Sequence, residues 1–296
     1  MTKPVLGFIG VGVMGMGMCR NLAQKSGCTV LATDLNLDNV RALADDGVVA
    51  SSIREIAENA SIVFLSLPAI DHVEAVCTGA DGLAAQARTL KTIVDMSTSD
   101  VERSRVLAAA LAQSGIEFID APVARSREAA NNGTLLITVG GTAAQFSVIK
   151  PQLECMGSDV LHCGPTGAGQ VVKILNNMVL LNTVHTLAQA FAMAEKSGVS
   201  KDLLADALSL GSAASFALKL TGANYLAKNV FPEKMFSTAY ALKDLKLALA
   251  LSETVELANP ATALTADQLQ KSVNAGFGDN YYPVMYRVIA RSGGAS

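Results

Sequence analysis

The sequence contains no tryptophan, and aromatic residues make up only 5% of its 296 positions. Stacking on nucleic-acid bases requires aromatic side chains, and binding to a phosphate backbone or an anionic membrane surface requires a basic patch. The net charge of −3 at pH 7 provides no such patch. We therefore expect neither nucleic acid nor membrane as a partner. Half of the residues are hydrophobic, which excludes a disordered chain.

Long uninterrupted apolar runs are also missing. The best candidate for a membrane span, residues 171–194, contains polar side chains throughout, including Lys173 and His185. A spanning helix needs about 20 consecutive apolar residues, so this segment suits a buried helix better. The residues before the first glycine motif lack the apolar core of a signal peptide. We expect a cytoplasmic protein.

Cysteine and histidine are sparse and scattered. The five cysteines are odd in number and include no C-x-x-C pair, which predicts free thiols in a reducing compartment. The three histidines lie far apart in the sequence, whereas metal ligands are usually closely spaced. We expect no metal site.

The first half of the chain alternates short apolar runs with amphipathic stretches, which is typical of parallel βαβ units. Predicted strands cover residues 5–9, 29–33, 62–65, 92–95, 117–120, 135–139 and 160–161, and predicted helices cover 16–25, 37–46, 101–112 and 143–153. From residue 165 onward only helices are predicted, over 171–196, 201–210, 216–228, 237–257 and 263–275. The sequence thus predicts an α/β fold: a Rossmann-type doubly wound parallel-sheet domain over residues 1–164, followed by an all-helical substrate and oligomerisation domain over 165–296. A long helix at about 168–196 joins them.

A glycine motif directly follows the first predicted strand and opens the first helix. It reads Gly10-Val11-Gly12-Val13-Met14-Gly15. In a dinucleotide-binding turn, the first glycine makes the tight turn, the second lets backbone approach a pyrophosphate, and the third packs helix on strand. The helix N-terminus then presents N–H groups to the phosphates.

Asp34 ends the second predicted strand, 24 residues after Gly10. A carboxylate here can accept hydrogen bonds from ribose hydroxyls and repels a 2′-phosphate, and no Arg or Lys follows immediately. This pattern favours NAD over NADP. The alternative is that Asp34 only caps the next helix, for which Asn36 is the other candidate.

Lys173 and Asn177 are four residues apart on one face of the long predicted helix, and Asn176 lies beside them. Burial destabilises an ammonium group and lowers its pKa, so a buried lysine can exchange protons near neutral pH. The alternative is a side chain that snorkels to solvent at the start of the helix.

The chain resembles the β-hydroxyacid dehydrogenase family, which includes 3-hydroxyisobutyrate dehydrogenase and tartronate semialdehyde reductase. Four segments carry the resemblance in the right order: the opening strand and glycine motif over 7–15, the Asp-Ala-Pro-Val stretch over 120–123 with Gly-Thr-Leu at 133–135, the Gly-x-Gly-Gln segment over 167–177 that contains Lys173, and Lys-Asp-Leu over 243–245. They span nearly the whole chain.

The resemblance implies an NAD-binding domain of the 6-phosphogluconate dehydrogenase type and assigns roles to several residues. Lys173 would be the general acid in carbonyl reduction and the base in alcohol oxidation. Asn177 would orient the substrate, and Lys243 would lie near both substrate and cofactor. Further cofactor contacts would come from the loops after two strands, at Leu67, Pro68, Ser97 and Thr98. Members of this family usually form homodimers or homotetramers.

One segment departs from the family pattern. The Asp-Ala-Pro-Val stretch is usually followed by Ser-Gly-Gly, whereas this chain has Ala124, Arg125 and Ser126. We predict that this segment binds the substrate, because the planar guanidinium of Arg125 suits a multi-oxygen anion. The arrangement is similar to the 3-sulfolactaldehyde reductase branch, in which the residue corresponding to Asn176 also holds the sulfonate. Alternatively, Arg125 turns outward to solvent or Glu128.

The leading hypothesis is an NAD-dependent enzyme that interconverts a small 3-hydroxy acid and its semialdehyde. The anionic head of the substrate, carboxylate or sulfonate, stays open. An imine reductase shares the architecture but tends to lack the lysine. A non-catalytic NAD-binding sensor would have no need for Lys173, Asn176, Asn177 and Lys243 together.

Overall fold

The protein is described by a computed structural model over residues 4–291. It divides into two compact units, with the boundary between Lys173 and Ile174. This boundary falls inside the long helix, beyond the division at residue 164 that the sequence suggests. The assignment of substrate binding and oligomerisation to the second part remains a prediction.

A nine-stranded sheet forms the first unit. Its strands are β1 (Val5–Ile9), β2 (Thr29–Thr33), β3 (Val48–Ala50), β4 (Ile62–Leu65), β5 (Thr92–Asp95), β6 (Glu117–Asp120), β7 (Val123–Ala124), β8 (Leu135–Gly140) and β9 (Gly157–Gly164). The order is β3-β2-β1-β4-β5-β6-β8-β7, with β9 paired to β8. Strands β1 to β6 are parallel, and β8 is antiparallel to β6 and β7. The predicted α/β fold class is confirmed.

The carboxyl ends of four central strands are in register. Ile9 of β1 pairs with Leu65 of β4, Leu65 pairs with Asp95 of β5, and Asp95 pairs with Asp120 of β6. The chain reverses direction across the sheet between β1 and β4, and doubly wound folds bind ligands at such a switch point. The loops after these strands therefore share one edge of the sheet.

Eight helices connect the strands of the first unit. They are α1 (Gly15–Lys25), α2 (Leu37–Arg41), α3 (Ile53–Asn59), α4 (Ile70–Thr78), α5 (Leu83–Gln86), α6 (Val101–Gln113), α7 (Arg127–Asn132) and α8 (Ala143–Leu153). Side-chain caps define several starts: Ser52, Asp100 and Thr142 each accept a backbone N–H from the first turn of their helix.

The predicted helix over 37–46 is wrong. Helix α2 ends at Arg41, a 3₁₀ turn covers Ala44–Asp46, and Gly47 adopts a φ of +85° before β3 begins. Strands β3 and β7 and helices α3, α4, α5 and α7 are not in the predicted set. These elements have two to nine residues each, too few for hydrophobic periodicity to reveal them.

The second unit is helical. The long helix α9 (Ala168–Lys196) starts in the first unit and continues into the second, where α10 (Lys201–Leu210), α11 (Thr238–Thr254), α12 (Pro260–Ser272) and α13 (Met285–Arg291) follow. The predicted helix over 216–228 is replaced by a π-helix over Leu218–Leu226, in which the Ala227 N–H reaches back five residues to the Gly222 carbonyl. Helix α12 starts earlier than predicted because Asn259 caps it and Pro260 suits its first position. Among the described residues, none of the helices is both long and apolar enough to cross a membrane.

Candidate active site

The glycine loop between β1 and α1 has the shape that a dinucleotide requires. Gly10 adopts a φ of +95°, and a Cβ there would lie 2.2 Å from the Ser66 carbonyl oxygen. A Cβ on Gly15 would lie 1.9 Å from the Gly10 carbonyl oxygen, whereas one on Gly12 would meet only open space. The first and third glycines therefore hold the turn together, and the second leaves the backbone open to a ligand. No side chain caps α1 at Met14, so its first N–H groups can face an anion, and Val13 is exposed beside them.

Asp34 is bonded to this loop. Its Oδ2 accepts the Val11 N–H at 2.6 Å, and its Oδ1 accepts the Asn36 N–H at 2.8 Å. Helix α2 is capped by Asn36, whose side chain accepts the Asp38 N–H. The alternative that Asp34 caps the next helix is therefore wrong, and its carboxylate lies against the glycine loop. Glycine loop and carboxylate together fit a dinucleotide.

The loops after β4 and β5 also contact each other. Ser97 Oγ accepts the Leu67 N–H at 2.9 Å, and the buried carboxylate of Asp95 accepts the Ser97 N–H at 2.9 Å. Pro68 is exposed next to Leu67, and Thr98 is half-buried next to Ser97. The structure thus brings the predicted cofactor residues of these two loops together.

Asp120 holds the start of α9. Its Oδ1 accepts the Gly167 N–H at 2.6 Å, and its Oδ2 accepts the Gln170 N–H at 2.9 Å. Burial raises the pKa of Asp120 to about 6, although both N–H bonds favour its ionised form. Lys173 lies three residues beyond Gln170 on this helix and is half-buried.

In the second unit, the buried carboxylate of Asp244 contacts two predicted site residues and is linked to a third. Asp244 Oδ2 accepts Asn177 Nδ2 at 2.6 Å, and Asp244 Oδ1 lies 3.3 Å from Lys243 Nζ. Asn177 Oδ1 in turn accepts Asn176 Nδ2 at 3.1 Å. The ammonium of Lys243 also lies 4.7 Å from the centre of the Tyr240 ring. The predicted site set omits Asp244, although a carboxylate inside the Lys-Asp-Leu segment of an apolar helix was a signal for it.

Arg125 does not pair with Glu128. Its guanidinium donates to the Thr134 carbonyl at 2.6 Å and to Ser158 Oγ at 2.9 Å, and forms an ion pair with Asp159 at 2.7 Å. Its φ of +86° is a conformation that favours glycine, which is the residue that the family pattern places here.

The residues on either side of Arg125 have structural roles of their own. Ala124 is buried in β7, and the Ser126 hydroxyl accepts the Ala129 N–H as the cap of α7. The predicted role of this segment in substrate binding therefore competes with contacts that each of its residues already makes. An anion bound by Arg125 would have to displace or share Asp159.

In the part of the chain that the structure describes, no three His, Cys, Asp or Glu side chains lie close enough together to hold a metal ion. All five cysteines are free thiols. Burial raises the pKa of Cys19 to about 12 and raises that of Cys77 further, so both are neutral in the core.

Comparison with known proteins covers both units. Residues 5–164 match the family model described as the NAD binding domain of 6-phosphogluconate dehydrogenase, and residues 167–289 match the one described as NAD-binding of NADP-dependent 3-hydroxyisobutyrate dehydrogenase. The chain belongs to the β-hydroxyacid dehydrogenase family. It is an NAD(P)-dependent oxidoreductase, and the predicted family and enzyme class are confirmed.

Three relatives show the extent of the similarity. The 3-hydroxyisobutyrate dehydrogenase of Pseudomonas aeruginosa is 37% identical over 268 residues, which cover 88% of this chain and 89% of the relative. The 2-(hydroxymethyl)glutarate dehydrogenase of Eubacterium barkeri is 33% identical over 292 residues, covering 98% and 96%. The structure of Mycobacterium tuberculosis 3-hydroxyisobutyrate dehydrogenase with L-serine is similar at a TM-score of 0.86, with 31% identity, and covers 98% of this chain and 99% of that one.

Proposed function

We propose that this β-hydroxyacid dehydrogenase interconverts a small 3-hydroxy acid and its semialdehyde, with NAD as the cofactor and Lys173 as general acid and base. The observation that supports this most is the place in the fold where helix α9 begins. The helix that carries Lys173 begins at the carboxyl edge of the sheet, where Asp120 at the end of β6 accepts two of its first N–H groups. The glycine loop follows β1 at the same edge. Lysine and cofactor loop thus belong to one edge of one sheet.

The chemistry divides between cofactor and chain. The glycine loop and Asp34 would hold the cofactor, which would supply the hydride as NADH in carbonyl reduction and accept it as NAD⁺ in alcohol oxidation. During reduction, negative charge develops on the carbonyl oxygen of the substrate, and the Lys173 ammonium stabilises that charge and donates the proton. During oxidation, the neutral amine of Lys173 takes the hydroxyl proton. Asn177 orients the substrate, and its own amide is fixed by Asp244.

The preference for NAD over NADP follows from Asp34. The Val11 N–H bonds its carboxylate to the glycine loop, and the Asn36 N–H fixes the other carboxylate oxygen from the loop after β2. A fixed carboxylate can accept hydrogen bonds from ribose hydroxyls and repels a 2′-phosphate. A carboxylate and a sulfonate are both possible heads of the substrate, since Arg125 suits either.

We further propose that the enzyme is a cytoplasmic homodimer or homotetramer. Apolar side chains of α9 are exposed in the single chain, among them Val179 at 60% and Met193 at 70%. Apolar surface of this kind is commonly covered in an assembly. Light scattering on the purified protein measures the assembly directly, and a monomer would contradict this part of the proposal.

The test is reduction of NAD by the purified protein with 3-hydroxyisobutyrate, glycerate, threonate and 2,3-dihydroxypropanesulfonate. We expect turnover of at least one of them, and preference for the last would identify a sulfonate head. Lys173→Ala is expected to lower kcat by about 10²–10⁴-fold, the range for loss of a general acid–base group, while NADH binding is retained. A wild-type protein that binds NADH but turns over none of these compounds or their aldehydes would contradict the proposal.

A further inference from the structure

Gln170 has a fully buried side chain in the first turn of α9, and the mechanism above does not use it. Its Nε2 donates to the Ser97 carbonyl at 2.8 Å, and its Oε1 accepts the Ser99 N–H at 3.0 Å. Both ends of one amide are therefore bonded to the backbone of the loop after β5. Such a pair of bonds fixes the loop and the helix relative to each other, because breaking either bond would leave a buried polar group without a partner.

That loop is itself part of a larger network. Asp95 accepts both the Ser97 N–H at 2.9 Å and the Ser99 hydroxyl at 2.7 Å, and Ser97 Oγ accepts the Leu67 N–H. The loops after β4 and β5, which are the predicted cofactor loops, are thus linked through Gln170 to the first turn of α9.

Close packing fixes the depth at which α9 starts. A Cβ on Gly169 would lie 2.4 Å from the Thr138 carbonyl oxygen and 2.8 Å from Asp120 Oδ2. The Thr138 hydroxyl donates to the Gly169 carbonyl at 3.0 Å. With Asp120 bonded to the N–H groups of Gly167 and Gln170, the first turn is held from the strand side as well as from the loop side.

We propose that Gln170 is a positioning residue that couples the cofactor loops after β4 and β5 to Lys173. Lys173 is three residues further along α9, about 4.5 Å along the helix axis. A displacement of about 1 Å at a reacting group can cost about 10²-fold in rate, so the amide sets where the ammonium lies relative to the cofactor loops. The role of Lys173 itself rests on the proposed function.

The coupling can be measured without turnover, by hydrogen exchange with and without NAD. In the wild-type protein we expect NAD to slow exchange in residues 95–100 and also in residues 166–173. In Gln170→Met, which is similar in shape but has no polar atoms to bond the loop, the protection of 95–100 should persist and that of 166–173 should be lost. Gln170→Asn keeps the amide but shortens its reach by a methylene, and it should give the same loss if the methionine variant does not fold.

Asn21→Leu is the matched control. Asn21 is also a buried amide of the first unit, and its Nδ2 donates to the carbonyls of Gly17 and Ala130 at 2.8 and 3.0 Å. We expect this variant to lose stability as the Gln170 variants do, while it keeps the NAD-linked protection of residues 166–173 and a kcat within about twofold of wild type. The Gln170 variants should lose about 10–100-fold in kcat, with less than about threefold change in the KM for NAD.

Three results would overturn the inference: no NAD-linked protection of residues 166–173 in the wild-type protein, unchanged protection there in a folded Gln170 variant, or a kcat of that variant equal to the control's. A wild-type protein without turnover would instead contradict the proposed function. The exchange experiment would still decide the coupling, so the two failures can be told apart.

Discussion

The buried carboxylates of the two units are held in different ways. In the first unit, Asp95 and Asp120 end two neighbouring strands. Asp95 accepts the Ser97 N–H of the loop that follows it, and Asp120 accepts the N–H groups of Gly167 and Gln170 at the start of α9. In the second unit, Asp244 lies within α11 and faces side chains, the amide of Asn177 and the ammonium of Lys243. Strand ends have loop N–H groups beside them, whereas the N–H groups in the middle of a helix already bond within that helix.

The carboxylates of the first unit therefore depend on the position of the backbone, whereas Asp244 depends on the identity of its neighbouring side chains. Backbone donors are present whatever the sequence, so the carboxylates of the first unit depend mainly on the fold, and only Asp95 adds a bond from a side chain, the Ser99 hydroxyl. Asp244 depends on two particular side chains, and both of them are predicted site residues. We therefore expect substitutions around Asp244 to affect activity most directly, and those at the strand ends to affect cofactor selection and stability.

Among substitutions of the carboxylates, removal of Asp244 should have the largest effect on activity. Asp244→Ala leaves Asn177 Nδ2 and Lys243 without this buried acceptor, and such losses typically cost about 1–3 kcal/mol. We expect kcat/KM to fall by about 10–100-fold, and Asp244→Asn, which keeps one oxygen acceptor, to fall less. Steady-state kinetics on both variants measures this. Activity of the alanine variant within threefold of wild type would show that the side-chain cluster is not part of the site.

Substitution of Asp34, whose carboxylate accepts two backbone N–H groups, should have the next largest effect, on the choice of cofactor. Asp34→Asn keeps an acceptor for one N–H but removes the charge that repels a 2′-phosphate. We expect the ratio of kcat/KM for NAD to that for NADP to fall at least about tenfold, which corresponds to about 1.4 kcal/mol. Kinetics with both cofactors checks this, and an unchanged ratio would mean that Asp34 only supports the glycine loop.

Asp120 predicts a pH dependence of stability. Its pKa in the folded protein is about 6 against an ordinary value of 3.8, so the folded state binds the proton more tightly than the unfolded state. The resulting stabilisation is present below about pH 4 and is lost as the pH rises through about 6. We expect the free energy of unfolding to be about 1 kcal/mol higher at pH 5 than at pH 7 because of this group.

Denaturant unfolding of the wild type and Asp120→Asn at the two pH values isolates this contribution, because other groups cancel in the difference. The charge of Asp95 also raises the pKa of Asp120, and Cys163 feels the charge of Asp120, but burial raises the pKa of that thiol, so it stays neutral in this range. If the difference in the free energy of unfolding between the wild type and Asp120→Asn were the same at pH 5 and pH 7, the raised pKa of Asp120 would be contradicted.

The sequence predicts features that depend on a local pattern and misses those that depend on contacts between distant residues. The strands β1, β2, β4, β5 and β6 have the predicted bounds, because each is a short apolar run ended by a turn or a polar residue. The glycine loop follows from local spacing alone. The π-helix over Leu218–Leu226 could not be predicted, since a widened helix has almost the same apolar pattern as an α-helix. The bonds of Asp244 and Gln170 join residues about 70 positions apart, and no local pattern encodes those pairs.

Arg125 gives a contrasting case in the first unit, because here a carboxylate, Asp159, is held near the surface by a cation and not by backbone N–H groups. Its guanidinium side chain is 44% exposed, and exposed ion pairs contribute about 0–1 kcal/mol, so only a small competition with a substrate anion is expected. If Arg125 binds the substrate head, Asp159→Asn should lower the KM about threefold by releasing the guanidinium, and Arg125→Ala should raise it by a similar factor. Arg125→Gly is the control for the backbone, since glycine adopts a φ of +86° without strain. Equal KM values in all three variants would assign Arg125 to the ion pair with Asp159 alone, and the substrate head would then have to be held by other residues.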